Sequence, residues 1–173
     1  MTDTAINAGI KTGMSEGMSE GMGPALASPD GGARAGHGAM LTALSHGCAD
    51  KVKGFAESLL PSLGAIDVLR SRTGLVMLPF RDTVKGTDFH LGEVLVAEAE
   101  VRLTTHGSTG YGMVTGRDLE WAMAMALIDA AASAGIEPAA ISAFVAGTIA
   151  ANAARDRQSL CAVEATRVDM ETF

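Results

Sequence analysis

The chain has 173 residues and a formal net charge of −7, which is enough length for one domain with a single hydrophobic core. The acidic balance argues against a nucleic-acid surface, because neutralising phosphates requires clustered lysine and arginine. Cys48 and Cys161 have neither a CxxC nor a metal-ligand spacing, and both are expected to be reduced and buried. No basic stretch followed by an apolar run marks a secretory signal, so a cytoplasmic location is expected.

Residues 1–36 are rich in glycine, serine, methionine and alanine, and Gly13–Glu16 (GMSE) repeats at once as Gly17–Glu20. Such a tract buries too little apolar surface to offset the cost of ordering its backbone. It predicts a flexible tail, with a partner-binding arm as the alternative. The remaining residues, 37–173, are predicted to form a single α+β domain.

The predicted domain opens with a helical pair. Apolar residues recur at helical spacing from Gly38 onward, which predicts two short helices separated near Gly47. Pro61 and Gly64 are expected to end the second helix.

Two short strands are expected next, over 66–70 and 75–80, with a turn near Ser71–Thr73 between them. The second of these strands is apolar on both faces, so it should be covered on both sides. Because proline cannot donate to a β-ladder, Pro79 places this strand at a sheet edge or at a bulge.

The clearest pattern is an alternation of apolar and polar residues from Leu91 to Leu103. It predicts a half-solvated strand, which is typical of an antiparallel sheet. A turn over 104–107 is expected to return the chain along 108–115. These strands together predict an antiparallel β-meander.

A second helical pair is expected after the meander, over 117–134, ended by Gly135, and from Pro138 to about Arg155. Residues 138–154 carry no charge, which fits either a deep core helix or a helix at a protein interface. Their length and scattered polar groups argue against a membrane span. A last strand over 161–173 completes the expected α+β order: a helical pair, the meander, a second helical pair and a C-terminal strand.

The glycine-rich segment Gly110–Gly116 does not fit a dinucleotide-binding loop, since its third glycine comes one residue too late and a meander strand precedes it. Glycines that serve the hairpin and the strand-to-helix turn are the better interpretation. Gly116–Asp118 (GRD) then opens a helix, whose free N–H groups together with Arg117 form a candidate anion site. The alternative is structural: Arg117 pairs with a carboxylate and Asp118 caps the helix.

Charged residues near the end of the chain form a second candidate site. Arg167 is a candidate anion-binding residue, and Glu164 and Asp169 are weak candidates for acid–base catalysis. On the predicted strand, Arg167, Asp169 and Glu171 share one face. Ion pairing across a subunit contact is the favoured interpretation of that face.

Other polar residues are assigned structural or interface roles. His90 and Glu93 point to opposite faces of a strand, so they cannot form a local metal pair, and no other metal-ligand spacing occurs. No metal is therefore expected. Asp129 lies in an apolar helix and must either find a partner, for which Arg117 or Arg167 are the candidates, or lie at an interface.

Several short blocks carry a family resemblance: Thr73–Met77 (TGLVM), Phe89–Glu93 (FHLGE), Gly116–Asp118 (GRD), Ala126–Asp129 (ALID) and Glu164–Asp169 (EATRVD). In their order and spacing, from the first predicted helix to the last residue, they resemble the PhnG family. This family is the G subunit of the bacterial carbon–phosphorus (C–P) lyase core complex, which acts in phosphonate catabolism.

The resemblance implies an accessory subunit of a transferase that is inactive alone. The complex would form alpha-D-ribose 1-methylphosphonate 5-triphosphate from ATP and methylphosphonate, with release of adenine. The implied partners are subunits of the H-, I-, J-, K- and L-types, the I-type nucleosidase most directly. ATP would be a substrate of the complex, and no cofactor is expected to bind this chain. A non-catalytic scaffold protein of the same complex is the alternative, and neither a nucleic-acid nor a membrane partner is expected.

Overall fold

The computed structural model of the chain describes the backbone of residues 30–167 and the side chains of residues 36–167. The elements in chain order are α1 (Asp30–Ser45), α2 (Ala49–Leu63), β1 (Ile66–Arg81), β2 (Asp88–Leu103), β3 (Ser108–Thr115), α3 (Leu119–Ala134) and α4 (Pro138–Glu164). The α+β class is confirmed, with an antiparallel meander in the order β1-β2-β3 between two helical pairs. Within the described residues, no helix is both long enough and apolar enough to cross a membrane.

The predicted N-terminal helical pair is confirmed. Gly47 lies between α1 and α2, and Gly64, with φ of 72°, follows the last residue of α2. Pro61 lies inside α2, which continues for two further residues beyond it. α1 begins at Asp30, inside the segment assigned to the tail, and residues 1–29 lie outside the described part of the chain.

β1 is one continuous strand of 16 residues, so the turn predicted near Ser71–Thr73 is wrong. These residues stay in the ladder, opposite Ala97–Ala99 of β2. Arg72 suits a strand here because it lies on the charged face of the sheet and pairs across the ladder with Glu98. Ser71 and Thr73 lie on the other face, opposite Ala99 and Ala97.

The prediction for Pro79 is confirmed, because β1 is an edge strand and its register shifts between Leu78 and Pro79. The expectation that 75–80 is covered on both sides is wrong for this chain. Leu75, Met77 and Phe80 are all at least 50% exposed. The pairing of β2 with β3 reaches only to Val96, so β1 and β2 continue past it as a two-stranded hairpin.

The core lies between α3 and one face of the sheet. α3 has almost no polar stripe, and a helix that is apolar nearly all round belongs inside a protein. Its stretch from Ala122 to Ala131 is almost entirely buried. The fully buried side chains opposite and beside it include Leu44, Val52, Leu63, Ala97, Ala99, Val101 and Leu103.

Two glycines of β3 allow α3 to lie directly against the sheet. A Cβ on Gly110 would lie 2.1 Å from the carbonyl oxygen of Ala126, and one on Gly112 would lie 2.1 Å from that of Ala122. Only glycine fits at such distances. Gly116, with φ of 100°, occupies the strand-to-helix turn as predicted. Close packing and turn geometry therefore explain the glycine-rich segment without a bound phosphate.

α4 runs from Pro138 to Glu164, so its predicted end near Arg155 is wrong. The predicted C-terminal strand is also wrong as far as residue 167, and residues 168–173 lie outside the described part of the chain. The reason is compositional: residues 151–164 are rich in alanine and contain neither glycine nor proline. Such a stretch favours continuation of the helix over a strand.

α4 is not a core helix, because Ile141 is its one buried residue. The uncharged stretch 138–154 packs one side against α1, α2 and α3 and is otherwise mostly exposed. Further along, Leu160 and Val163 are 68% and 66% exposed. Of the two roles that the sequence leaves open, the structure excludes the deep core helix and is consistent with an interface.

Candidate functional site

The first predicted site, at the N-terminal end of α3, is organised by Asp118. This residue is the N-cap of the helix, and its Oδ1 accepts a hydrogen bond from the Trp121 backbone N–H at 2.9 Å. The carboxylate thus occupies the place at the helix N-terminus that a bound anion would take. Of the two interpretations of this segment, the capping role of Asp118 is the one seen in the structure.

Lys53 of α2, which no sequence motif singles out, joins the same site. Its Nζ donates to Asp118 Oδ2 at 2.9 Å and to Glu120 Oε2 at 3.2 Å, which ties α2 to α3. The bond to Asp118 raises the pKa of Lys53. The same bond, together with the Trp121 N–H, holds the pKa of Asp118 below its ordinary value. The two partners are 65 residues apart, so no local pattern in the sequence could reveal them.

A surface groove between α2 and α3 lies beside this ion pair. Its lining combines apolar and charged side chains: Lys53, Ala56, Glu57, Leu60, Ser71, Leu119, Glu120, Met123, Ala124 and Leu127. Lys53 is the one basic residue of that lining, and it is already paired with two carboxylates. The groove therefore offers no free positive charge to a phosphate or phosphonate.

Arg117 lies exposed in the turn between β3 and α3. Among residues 36–167, no side chain forms an ion pair or hydrogen bond with its guanidinium. Arg117 is therefore the group at this end of α3 that can meet an anion arriving from solvent or from a partner. Its assignment as an anion-binding residue stays a prediction.

The second predicted site, at the charged end of the chain, was expected on a strand, but Glu164 ends the helix α4. Arg167 follows α4, and its Nη1 donates to Glu164 Oε1 at 3.1 Å, one helical turn back. The two side chains are 69% and 70% exposed, and pairs of this kind contribute little stability. Asp169, the other weak catalytic candidate, lies outside the described residues, as does Glu171. The roles assigned to Glu164, Arg167 and Asp169 stay predictions.

Asp129 finds its partners elsewhere than at the predicted arginines. Its Oδ1 lies 2.6 Å from His37 Nε2, and its Oδ2 accepts a hydrogen bond from the Tyr111 backbone N–H at 2.9 Å. Arg117 is too distant, because it precedes Asp129 by 12 positions, which correspond to roughly 18 Å along a helix. This buried carboxylate ties α1 and β3 to α3, which is a structural role within the chain.

His90 and Glu93 are exposed in the part of the β1–β2 hairpin that extends beyond β3. Across the ladder, His90 lies opposite Pro79 and Glu93 lies opposite Met77. No group of three histidine, cysteine, aspartate or glutamate side chains in the described part of the chain is placed to hold a metal ion. Both residues stay predicted interface residues.

The sheet face opposite α3 carries an ionic group that no sequence motif singles out. Glu98 accepts hydrogen bonds from Arg70 Nη1 at 2.7 Å and from Arg72 Nε at 3.0 Å. These two arginines hold the pKa of Glu98 below its ordinary value. Beside them, partial burial and then the charge of Glu98 raise the pKa of Tyr111. Because these charges are largely balanced within the sheet, this face also lacks a concentrated positive charge for a phosphate.

Both cysteines are exposed, so the expectation of buried thiols is wrong. Cys48 precedes α2, and Cys161 lies in the distal part of α4. Both are free thiols, so neither forms a disulfide in the described part of the chain.

Comparison with known proteins places the chain in a family. The family described as phosphonate metabolism protein PhnG matches residues 37–173. A curated protein of Rhizobium meliloti (strain 1021), the alpha-D-ribose 1-methylphosphonate 5-triphosphate synthase subunit PhnG, is 37% identical over 101 residues. That alignment covers 58% of this chain and 64% of the relative, which is less than two thirds of the relative's length. Because the family match extends over the whole predicted domain, the chain belongs to the PhnG family of phosphonate metabolism proteins.

Proposed function

We propose that this chain is the G-type subunit of a complex that forms alpha-D-ribose 1-methylphosphonate 5-triphosphate. In this reaction methylphosphonate displaces adenine from C1′ of the ribose of ATP. The observation that carries the proposal is the family match, together with a relative whose name makes it a subunit of that synthase. The chain is then an accessory subunit that is inactive alone, with ATP as a substrate of the complex.

The structure supports a subunit rather than a free-standing enzyme. The uncharged surface of α4 faces solvent, and so do the apolar residues of the β1–β2 hairpin beyond β3. Exposed apolar surfaces of this extent are typical of proteins that bind partners. Among the described residues, neither the groove between α2 and α3 nor the charged face of the sheet offers an evident set of catalytic groups.

The proposed partners are the H-, I-, J-, K- and L-type subunits of the C–P lyase system. The I-type nucleosidase is the most direct of them, because it would hold the centre at which adenine leaves. This chain would shape or complete that centre from outside. The exposed Arg117 is its best candidate for contact with a phosphate or phosphonate oxygen, with Arg167 as the second.

Reconstitution with a product readout tests this function. ATP and methylphosphonate are incubated with the I-, H- and L-type subunits of the same organism, with and without this chain, and the products are followed by phosphorus NMR. We expect the ribose 1-phosphonate signal only when the chain is present. Equal product without the chain would contradict a role in the reaction.

A second candidate function is assembly alone, without a role at the substrate. One observation favours it: Asp118 caps the helix N-terminus that was the predicted anion site. Replacing Arg117 by alanine separates the two functions. A residue that contacts the substrate should lower turnover by at least about tenfold with assembly intact, whereas a scaffold should keep full turnover. Arg102→Ala, which removes another exposed arginine, is the matched control.

A further inference from the structure

The most conspicuous unexplained feature of the molecule is an arm, defined here as residues 75–95. It comprises the end of β1, the connecting turn and the start of β2. β3 pairs with β2 only from Val96 onward, so the arm is a ladder of two strands. About seven residues in each strand give it a length of roughly 24 Å. A two-stranded hairpin is marginally stable in water unless something packs against it.

Both faces of the arm are apolar. Residues opposite one another in a ladder share a face, and successive pairs point to opposite faces. Leu75 lies opposite Leu95, and the next pair is Val76 opposite Val94. Leu75 is 63% exposed and Val76 is 39% exposed, so neither face is covered within this chain. A partner that hides the arm from water must therefore contact both of its faces.

The end of the arm carries an aromatic pair. Phe80 and Phe89 lie opposite each other, with ring centroids 5.6 Å apart in an edge-to-face arrangement. They are 50% and 42% exposed. Rigid aromatic groups of this kind, once desolvated, are the usual anchors of protein interfaces.

The outer edge of the arm, on β1, is poorly suited to pairing with another strand, whereas the edge on β2 is unpaired only because β3 ends opposite Val96. Pro79 has no N–H to donate, and the ladder register shifts at that position. Arg81, paired with Asp88, places further charge at the tip of the edge strand. The partner is therefore expected to bind the faces of the arm rather than to extend the sheet beyond β1.

A second copy of this chain is a poor occupant. Two arms stacked about a twofold axis would cover one face of each arm and leave the other exposed. Each copy carries a net charge of −7, which opposes close approach. On the face of Met77, Glu93 is exposed, and no described residue pairs with its carboxylate. A twofold contact on that face would bring two such carboxylates together.

We propose that the arm inserts into an apolar cleft of a different subunit of the same complex, which contacts both faces. That subunit presents a lysine or arginine to Glu93 and encloses the Phe80–Phe89 pair. The proposal rests on the proposed function, because the partner is taken from the synthase complex.

The test uses the full chain co-expressed with the other subunits of the synthase of the same organism. Hydrogen–deuterium exchange followed by mass spectrometry compares the free chain with the assembled complex. Assembly should slow exchange across 75–95 by at least about tenfold. Exchange that is equally fast in the assembled complex would overturn the proposal.

Variants test the two faces separately. Leu75→Asp changes one face and Val76→Asp the other, and each should weaken assembly by at least about tenfold. Val68→Asp is the matched control, because Val68 lies in the same strand outside the arm and is 56% exposed. Circular dichroism of the free variants should match the unchanged chain, since neither arm residue contributes to the core. If only one of the two arm variants weakens assembly, the partner covers one face and the cleft is refuted.

Further outcomes separate this inference from the proposed function. Glu93→Lys should weaken assembly more than Glu93→Gln does, because it places a positive charge against the partner's cation. A free chain that is dimeric, with the arm already protected, would assign the arm to a second copy and overturn the proposal. Product formation with an unprotected arm would refute the docking alone. A protected arm without the ribose 1-phosphonate product would refute the proposed function alone.

Discussion

At the scale of single residues, the distance between α3 and the sheet depends on two glycines in β3. Gly110 and Gly112 face the backbone of α3, and a side chain at either position would meet a carbonyl oxygen. A backbone atom cannot rotate away as a flexible side chain can. The helix must therefore shift as a whole, which would disturb the packing of the entire core.

Gly112→Ala is therefore expected to destabilise the fold by about 1–3 kcal/mol or more. The physical reason is overpacking, since the new Cβ would lie 2.1 Å from the carbonyl oxygen of Ala122. Urea unfolding of the purified chain measures the change. Gly74→Ala in β1 is the control, because a Cβ on Gly74 would have no other heavy atom within 4 Å beyond its own chain neighbours. Equal stability of the two variants would contradict this account of the glycine.

Asp118 should give the chain an acid-dependent stability. Its folded pKa is lowered, first by Lys53 and then by the Trp121 N–H, so the folded state binds its proton less readily than the unfolded state. The stabilisation is therefore fully present above the unfolded pKa, and it is lost as the pH falls through the lower folded pKa. The loss should begin near about pH 4.

The measurement is a series of unfolding curves for the unchanged chain and for Asp118→Asn between neutral and acidic pH. The stability difference between them should shrink as the pH falls below about 4. Lys53→Met, which keeps the aliphatic stem without the charge, should remove much of that pH dependence. A difference that stays constant with pH would contradict the lowered folded pKa of Asp118.

At the scale of elements, the sequence predicts helices and strands best where one buried face gives the apolar residues a clear period. β3 has the predicted bounds, 108–115, and the alternation of β2 is that of a strand with one buried face. The polar run at 71–73 has the composition of a turn, yet its central residue, Arg72, forms a cross-strand ion pair with Glu98 within the ladder. The stretch 161–164 alternates like a strand, but four residues are too few to distinguish a strand from an exposed helix.

The contacts that join the elements could not be predicted from the sequence, because the paired residues are far apart along the chain. Lys53 and Asp118 are 65 residues apart, and His37 and Asp129 are 92 apart. No local spacing relates such residues, so their pairing follows only from the fold. The sequence did predict that Asp129 needs a partner, because an unpaired buried carboxylate is costly. Which partner it has depends on where α1 crosses α3.

The distal half of α4 should contribute almost nothing to the stability of the free chain. Replacing both Leu160 and Val163 by alanine should leave the thermal midpoint nearly unchanged, because both side chains are mostly exposed and alanine favours the helix. Ile141→Ala in the same helix is the matched control. Ile141 is 4% exposed, so its truncation should cost about 2–4 kcal/mol. A clear loss of stability in the double variant would mean that the distal helix packs within this chain.

At the scale of the whole molecule, the residues that stabilise the fold and the residues exposed for binding lie in different parts of the chain. The helices α1, α2 and α3 and the base of the sheet share a single buried core. The arm and the distal half of α4 extend from that core with apolar side chains in solvent. A protein selected to work alone would not keep such surface exposed, whereas a subunit buries it on assembly.

Hydrogen exchange of the free chain should reveal this division directly. Amides of β2 from Ala97 to Leu103 lie beneath α3 and should exchange only through global unfolding. Amides of the arm are hydrogen-bonded in the same two strands, but the arm opens without exposing any core, so they should exchange faster by at least about tenfold. The comparison lies within one continuous strand, β2, which removes differences in strand type. Equal protection of 88–95 and 97–103 would show that the free chain already stabilises its arm, and the need for a partner at that surface would disappear.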